Sequence, residues 1–209
     1  MVFRLLLRAL SLGAKFALTV VIAHTLGFGA VAEYGLAVGV SVTASKLFGL
    51  GFSVELNRRM SGAAPVPAIA TARTLCLAYA SFYSIAGLAL LAAWGLGKLP
   101  HTLPDARTCC LMLLVAFSEH YALEANGYVF SVHRVRAGSA MLFMRTGGWA
   151  AIAIAGLTCG TVADMRTIFA LWIITNASVI VWAWQLLGRI GRTTADTVMK
   201  TMPQPFLLA

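Results

Sequence analysis

Glu119, His120 and Glu124, within Ser118-Glu-His-Tyr-Ala-Leu-Glu124-Ala-Asn126-Gly127, are the residues of this chain best equipped for proton or cation chemistry. On a helix turning about 100° per residue, His120, Glu124, Gly127 and Ser131 share a face and Glu119 lies one step round from it. Carboxylates inside an apolar stretch serve proton relays or cation coupling. The competing role is structural: an ion pair with Lys15 or Lys46 that holds helices together. Both roles stay open.

Four cations form the second set. Lys15, Lys46, Arg73 and Arg145 each interrupt an apolar run. Arg4, Arg8, Ser11, Lys15 and Thr19 fall on one helical face, and Gly35, Gly39, Val42, Lys46, Gly49 and Ser53 on another. A cation in lipid costs roughly 3 kcal/mol or more, so each must face protein or water or snorkel to the headgroups. For Arg73 and Arg145, near the cytoplasmic ends of their runs, both solutions remain. Lys15 and Lys46 lie deeper and are expected to face inward, lining the cytoplasmic half of a cavity suited to a phosphorylated, anionic substrate. The small residues beside Lys46 would let a neighbouring helix approach closely.

These residues are carried by a chain whose composition fixes its class. Its 209 residues are 60% hydrophobic and 11% charged, with a mean hydropathy of +0.85. A soluble domain carries about a quarter charged residues, so this is an all-α polytopic membrane protein. Six candidate transmembrane helices follow, each near the roughly 20 residues a bilayer requires: Leu5–Gly27, Val31–Ser53, Ile69–Leu91, Cys109–Ser131, Ser139–Leu157 and Thr167–Leu187. They make residues 1–188 a six-span lobe and leave 189–209 as a cytoplasmic segment. Pro65-Val66-Pro67 opens the third span, where proline suits a first turn. The first 27 residues resemble a signal peptide, but Lys15 breaks the apolar region and no soluble domain follows, so they read as a retained first helix.

Orientation follows from the basic residues. Arg4, Arg8, Arg58, Arg59, Arg134, Arg136, Arg189, Arg192 and Lys200 fall on one side, with only Lys98, Arg107 and Arg166 on the other. An even number of spans and this bias agree in placing both termini in the cytoplasm. Trp94, Trp182 and Trp184 read as interface anchors. The net charge of +9 comes without a basic run or an aromatic-basic platform, which argues against a nucleic-acid partner. Cys76, Cys109, Cys110 and Cys159 have neither metal-ligand spacing nor a CxxC pair and read as apolar filler, with Cys110 and Cys159 the one conceivable disulfide. No metal or cofactor is expected.

With these residues in view, the first third resembles the polysaccharide flippases of the multidrug/oligosaccharidyl-lipid/polysaccharide exporter superfamily. That family opens with a basic amphipathic span, an Arg-x-Leu-Gly turn, a Phe-Gly-x-Tyr-like start to the second span, and a Gly-Leu at its end. Here the order is Lys15-Phe16, His24-Thr25-Leu26-Gly27, Val31-Ala32-Glu33-Tyr34-Gly35, Gly49-Leu50-Gly51 and Arg58-Arg59. His24 stands where an arginine is usual and Ala32 where a glycine is usual. The match covers about residues 5–61; beyond them only the span pattern agrees.

The resemblance implies one lobe of a two-lobe bundle around a central cavity in the bacterial inner membrane. It implies transport of a polyprenyl-diphosphate-linked oligosaccharide between leaflets, without covalent chemistry. The diphosphate would meet Lys15, Lys46 and Arg73 or Arg145, with Glu119, His120 and Glu124 as candidates for the coupling ion. Family members are about twice this length, and Met202-Pro-Gln-Pro205-Phe-Leu-Leu-Ala209 reads as the start of a seventh span. The chain is then expected to be a fragment, a truncated gene product, or a half-transporter completed by a second copy. Three other readings compete: a drug/cation antiporter of the same superfamily, whose cavity should be acidic; a membrane enzyme acting on polyprenyl phosphates, with His120 and Glu119 or Glu124 as acid and base; and a non-transporting assembly subunit. No HExxH motif or nucleophile elbow accompanies the His-Glu pair.

Overall fold

The computed structural model describes residues 2–49, 52–62, 65–98 and 103–201; for residues 2–5, 49 and 191–201 the description covers the backbone alone. Among them every regular element is helical. The elements are α1 (Val2–Thr25), α2 (Phe28–Gly49), α3 (Phe52–Met60), α4 (Pro65–Gly95), α5 (Ala106–Ser131), α6 (Val135–Phe143), α7 (Trp149–Thr158) and α8 (Met165–Thr201). A π-helical turn, Met144–Gly148, joins α6 to α7, so the two form one continuous rod.

Long apolar runs without interior proline make these helices, and glycines end them. Gly27 adopts φ +87°, the left-handed region open to glycine, and its N–H returns to the Ile22 carbonyl. The chain thus reverses between α1 and α2 in a turn too tight for a side-chain-bearing residue at no cost. Pro65 opens α4, where its missing N–H is not needed.

Among the described residues five helices are long and apolar enough to cross a membrane: Leu6–Thr25, Phe28–Phe48, Pro65–Gly95, Val135–Thr158 and Met165–Ile190. Their outward faces carry large apolar side chains such as Leu12 and Phe16 on α1, Leu77 and Leu88 on α4, and Ile174 on α8. So much contiguous apolar surface is stable only against hydrocarbon. The protein is a multi-pass, all-α membrane protein.

The fourth expected span, α5, matches the others in length but is not among the five apolar helices. It holds Glu119, His120, Glu124 and Asn126, and it is the most enclosed helix, packed by α2, α3, α4, α6 and α8. Polar groups at membrane depth must find partners inside the bundle. That requirement places α5, with its buried polar residues, at the centre. Around it the main core gathers α1, α2, α7 and α8, with the indoles of Trp149 and Trp172 stacked 4.4 Å apart.

Several expectations are corrected. The second span was expected to run to Ser53, but α2 ends at Gly49 and Ser53 belongs to α3. Helix α3 is amphipathic: Leu56 and Met60 are buried, while Glu55 pairs outward with Arg58 and Arg59. Its nine residues are too few to cross a bilayer, and its apolar face packs on α4 and α5. Trp184 is no interface anchor; its ring packs inward against Tyr121 and Tyr128. Cys110 and Cys159 are free thiols, so they form no disulfide. Helix α8 continues past residue 188, while its apolar part ends at Ile190, near the end expected for the sixth span. The expected seventh-span start, Met202–Ala209, lies outside the described residues, as do Leu50 and Gly51 and the side chains of Arg4, Arg192 and Lys200.

Candidate functional site

Helix α5 presents two polar faces, and the residues singled out by their chemistry divide between them. On the first, Glu119 points toward α8 and the π turn. Its Oε1 pairs with Nη1 of Arg145, while Oε2 accepts from Trp172 Nε1 at 2.9 Å and Asn176 Nδ2 at 3.1 Å. Both carboxylate oxygens are therefore satisfied. Arg145 was left open as a snorkelling residue, but it is 6% exposed and turned into the protein.

The π turn explains how Arg145 reaches Glu119. Inserting a residue widens the helix and frees a carbonyl; here the Trp149 indole N–H donates to the Arg145 carbonyl at 3.0 Å. Gly147 follows in the same turn, and a Cβ there would stand 2.8 Å from the Ser11 Cα. Helix α1 thus meets the turn backbone to backbone, which brings Lys15, one turn past Ser11, to the edge of the cluster. Lys15 is half-buried, its Nζ lies 5.6 Å from the centre of the Trp172 ring, and Glu119 and Arg145 both act on it electrostatically. The acid anticipated to pair with Lys15 or Lys46 pairs instead with Arg145.

The second face carries His120, Glu124 and Tyr128, each one turn from the next, toward α3 and α4. Ser53 of α3 donates to Glu124 Oε1 at 2.6 Å. Tyr83 of α4 meets His120 Nδ1 at 3.3 Å, and Tyr79 packs its ring 4.4 Å from the imidazole. His120 Nε2 stands 4.0 Å from Glu124 Oε1. His120 is 1% exposed and Glu124 6%, yet His120 Nε2, Glu124 Oε2 and the Tyr128 hydroxyl have no hydrogen-bond partner among the described residues. Among the described residues no Lys or Arg lies within ion-pair distance of Glu124.

The remaining cations lie elsewhere. Lys46 is exposed in the last turn of α2, and Arg73 is exposed on α4 with its guanidinium over the Trp184 ring at 5.7 Å. Lys46 therefore does not join Lys15 in one enclosed cavity. Nor does the glycine face of α2 receive a neighbouring helix among the described residues: a Cβ at Gly35 or Gly39 would meet nothing within 4 Å, and both line an apolar groove of about 560 Å³ between α2 and α4.

Tyr83, Trp172 and Asn176 escaped the sequence reading, and Ser53 entered it only as part of the Lys46 face. Depth along the spans was the available signal for the main pair. Glu119 stands about three turns before the end of α5, and Arg145 about three turns after the start of α6, so both fall at one level. Among the described residues no group of three or more His, Cys, Asp or Glu is placed to hold a metal ion. Comparison with protein-family models, with curated proteins and with solved structures gives no match.

Proposed function

We propose that the chain is a transporter lobe that moves a polyprenyl-diphosphate-linked oligosaccharide from the cytoplasmic to the outer leaflet, for export of a surface polysaccharide. In this reading α5 crosses the bacterial inner membrane as a sixth span, both termini are cytoplasmic, and a second lobe or second copy completes the cavity. No covalent chemistry is involved.

One observation carries the reading. Lys46 and Arg73 project from membrane-spanning helices with no acidic partner among the described residues, while the buried acids take theirs from within the bundle. Cations so placed are available to an anion that itself enters the membrane, and a lipid-bound diphosphate is such an anion. The sequence resemblance over residues 5–61 points the same way.

The test measures lipid-linked oligosaccharide on the cytoplasmic leaflet of source cells lacking the gene, with and without the 209-residue chain restored. Accumulation relieved by the chain supports transport; no accumulation on deletion overturns it. Because Lys46 is exposed, Lys46→Ala should leave protein abundance unchanged while impairing export, and Lys46→Arg should retain more activity. Equal export by all three would remove Lys46 as a substrate contact.

A further inference from the structure

We infer that His120 and Glu124 together hold one exchangeable proton, reached through Ser53, and that Glu119 takes no part in it. Calling that proton the coupling ion rests on the transporter reading above; its presence does not.

The argument begins with what each acid lacks. Glu119 has a guanidinium and two N–H donors on its oxygens, so its charge is neutralised where it lies. Glu124 has one hydroxyl donor, Ser53 on Oε1, while the Tyr128 hydroxyl one turn on is a polar neighbour outside hydrogen-bond geometry. A bare carboxylate so enclosed is costly, and a bound proton removes the cost. The imidazole beside it provides a second seat in the tautomer that donates Nδ1–H to the Tyr83 oxygen, since Nε2 then carries no proton and faces Glu124 at 4.0 Å with no other partner among the described residues. One proton shared between Glu124 and His120 leaves the pair neutral overall, and it rests on the carboxyl oxygen, because moving it to the imidazole would bury two charges in place of none. Its departure leaves a single uncompensated negative charge.

Among the described residues the surroundings contain nothing that would compensate that charge. Facing the pair are Ser53 from α3, Cys76, Tyr79 and Tyr83 from α4, Phe48 from α2, and Tyr121 and Tyr128 from α5 itself. None of these side chains is cationic. Glu55, two residues beyond Ser53, is turned outward onto Arg58 and Arg59.

Geometry supplies the route as well as the seat. Ser53 is half-exposed on the amphipathic α3. From there Ser53, Glu124, His120 and Tyr83 follow one another at 2.6, 4.0 and 3.3 Å, and Tyr83 lines the apolar groove between α2 and α4. Only the middle step exceeds hydrogen-bond length, and one water or a small turn of the imidazole closes it.

Infrared difference spectroscopy of the purified chain, titrated through neutral pH without substrate, reads the carbonyl stretch of a protonated carboxylic acid. Wild type should show such a band at neutral pH. Glu124→Gln should abolish it, and Ser53→Ala should shift it without removing it. A chain carrying Glu119→Gln and Arg145→Met together, which loses both charges of that pair at once, should retain it. A wild type without the band, a band that survives Glu124→Gln, or one lost with Glu119 would overturn the assignment. A band indifferent to Ser53→Ala would overturn the route. Because no substrate is present, failure of the leaflet assay leaves this result standing, and an absent band leaves that assay free to succeed.

Discussion

Glu119 and Glu124 stand about one and a half turns apart on one central helix and meet opposite conditions. Glu119 faces α8 and the π turn, where an arginine, an indole and an amide converge on it. Glu124 faces α3 and α4, where one serine reaches it and an imidazole waits beside it. The first acid is a fastening. The second is buried without the partners that a permanent charge requires. A buried acid by itself therefore says little about function; what the facing helices bring to it decides whether it locks or titrates.

The largest expected effect breaks the fastening. Arg145→Ala leaves Glu119 charged in the bundle without its guanidinium, held only by the Trp172 and Asn176 N–H groups with Lys15 nearby, and the loss of one member of a buried pair costs about 3–5 kcal/mol. Thermal unfolding of the detergent-solubilised protein should register this as a large loss. Combining Glu119→Gln with Arg145→Met should recover most of it, since neither charge then remains. A chain that tolerates Arg145→Ala as readily as Glu124→Gln would erase the distinction between the two faces.

The sequence discloses depth and face, but not which neighbour occupies that face, and the outcomes divide along that line. Helix type and the apolar spans are legible because a run such as residues 85–91 of α4 needs only its own composition to be recognised as a membrane segment. The His120–Glu124 face of α5 is legible for the same reason, since its spacing alone sets those two on one side of a helix and Glu119 a step round from them. Arg145 is not, because its inward turn depends on a π turn that Gly147 and Gly148 permit and on a backbone contact with Ser11. Lys46 misleads in the opposite sense: its glycine-lined face looks like a packing surface, but α2 lies at the rim of the bundle there and no described helix covers it. The break before α3 is hidden because the apolar run continues through Phe52 and Val54 before its charged face appears.

Two paired substitutions sharpen the comparison at smaller scale. Trp172→Phe removes an N–H donor from a charged acceptor and should cost about 1.5–3 kcal/mol, whereas Tyr83→Phe removes a neutral 3.3 Å contact and should cost about 0.5–1.5 kcal/mol. Part of the tryptophan loss is ring volume, so a cycle with Glu119→Gln should isolate the hydrogen-bond share. Equal coupling in the two cases would contradict a stronger hold on Glu119. The glycines of the two regions should also differ. Gly147→Ala drives a Cβ to 2.8 Å from the Ser11 Cα and should destabilise by about 1–3 kcal/mol. At Gly127, one turn from Glu124, the nearest atom would be Asn57 Nδ2 at 3.5 Å, so alanine should be neutral or stabilising by up to about 1 kcal/mol.

The smallest effect lies at the far end of α5, outside both buried clusters, where an exposed acid does openly what Glu119 does in the interior. Asp105 caps the helix, accepting from the backbone N–H groups of Arg107 and Thr108 and from the Thr108 hydroxyl, and Arg166 of α8 bridges to it at 2.9 Å. The Thr108 hydrogen bonds first, and Arg166 after them, hold its carboxyl down to about 2, below the ordinary 3.8. The contribution of this clasp is therefore complete above the ordinary value and is lost as pH falls toward the lowered one. Unfolding measured at successively lower pH should show wild type losing its advantage over Asp105→Asn between those two values, and the two chains should converge at the acid end. Asparagine keeps an oxygen for the cap but offers no charge to Arg166, so the gap above that window measures the charged part of the clasp alone. Full solvent exposure keeps that gap small. A gap that persists at the acid end would show that the α5–α8 junction depends on the shape of the Asp105 side chain and not on its ionisation, leaving Glu119, which accepts from Trp172 and Asn176 of α8, as the carboxylate whose charge holds those two helices among the described residues.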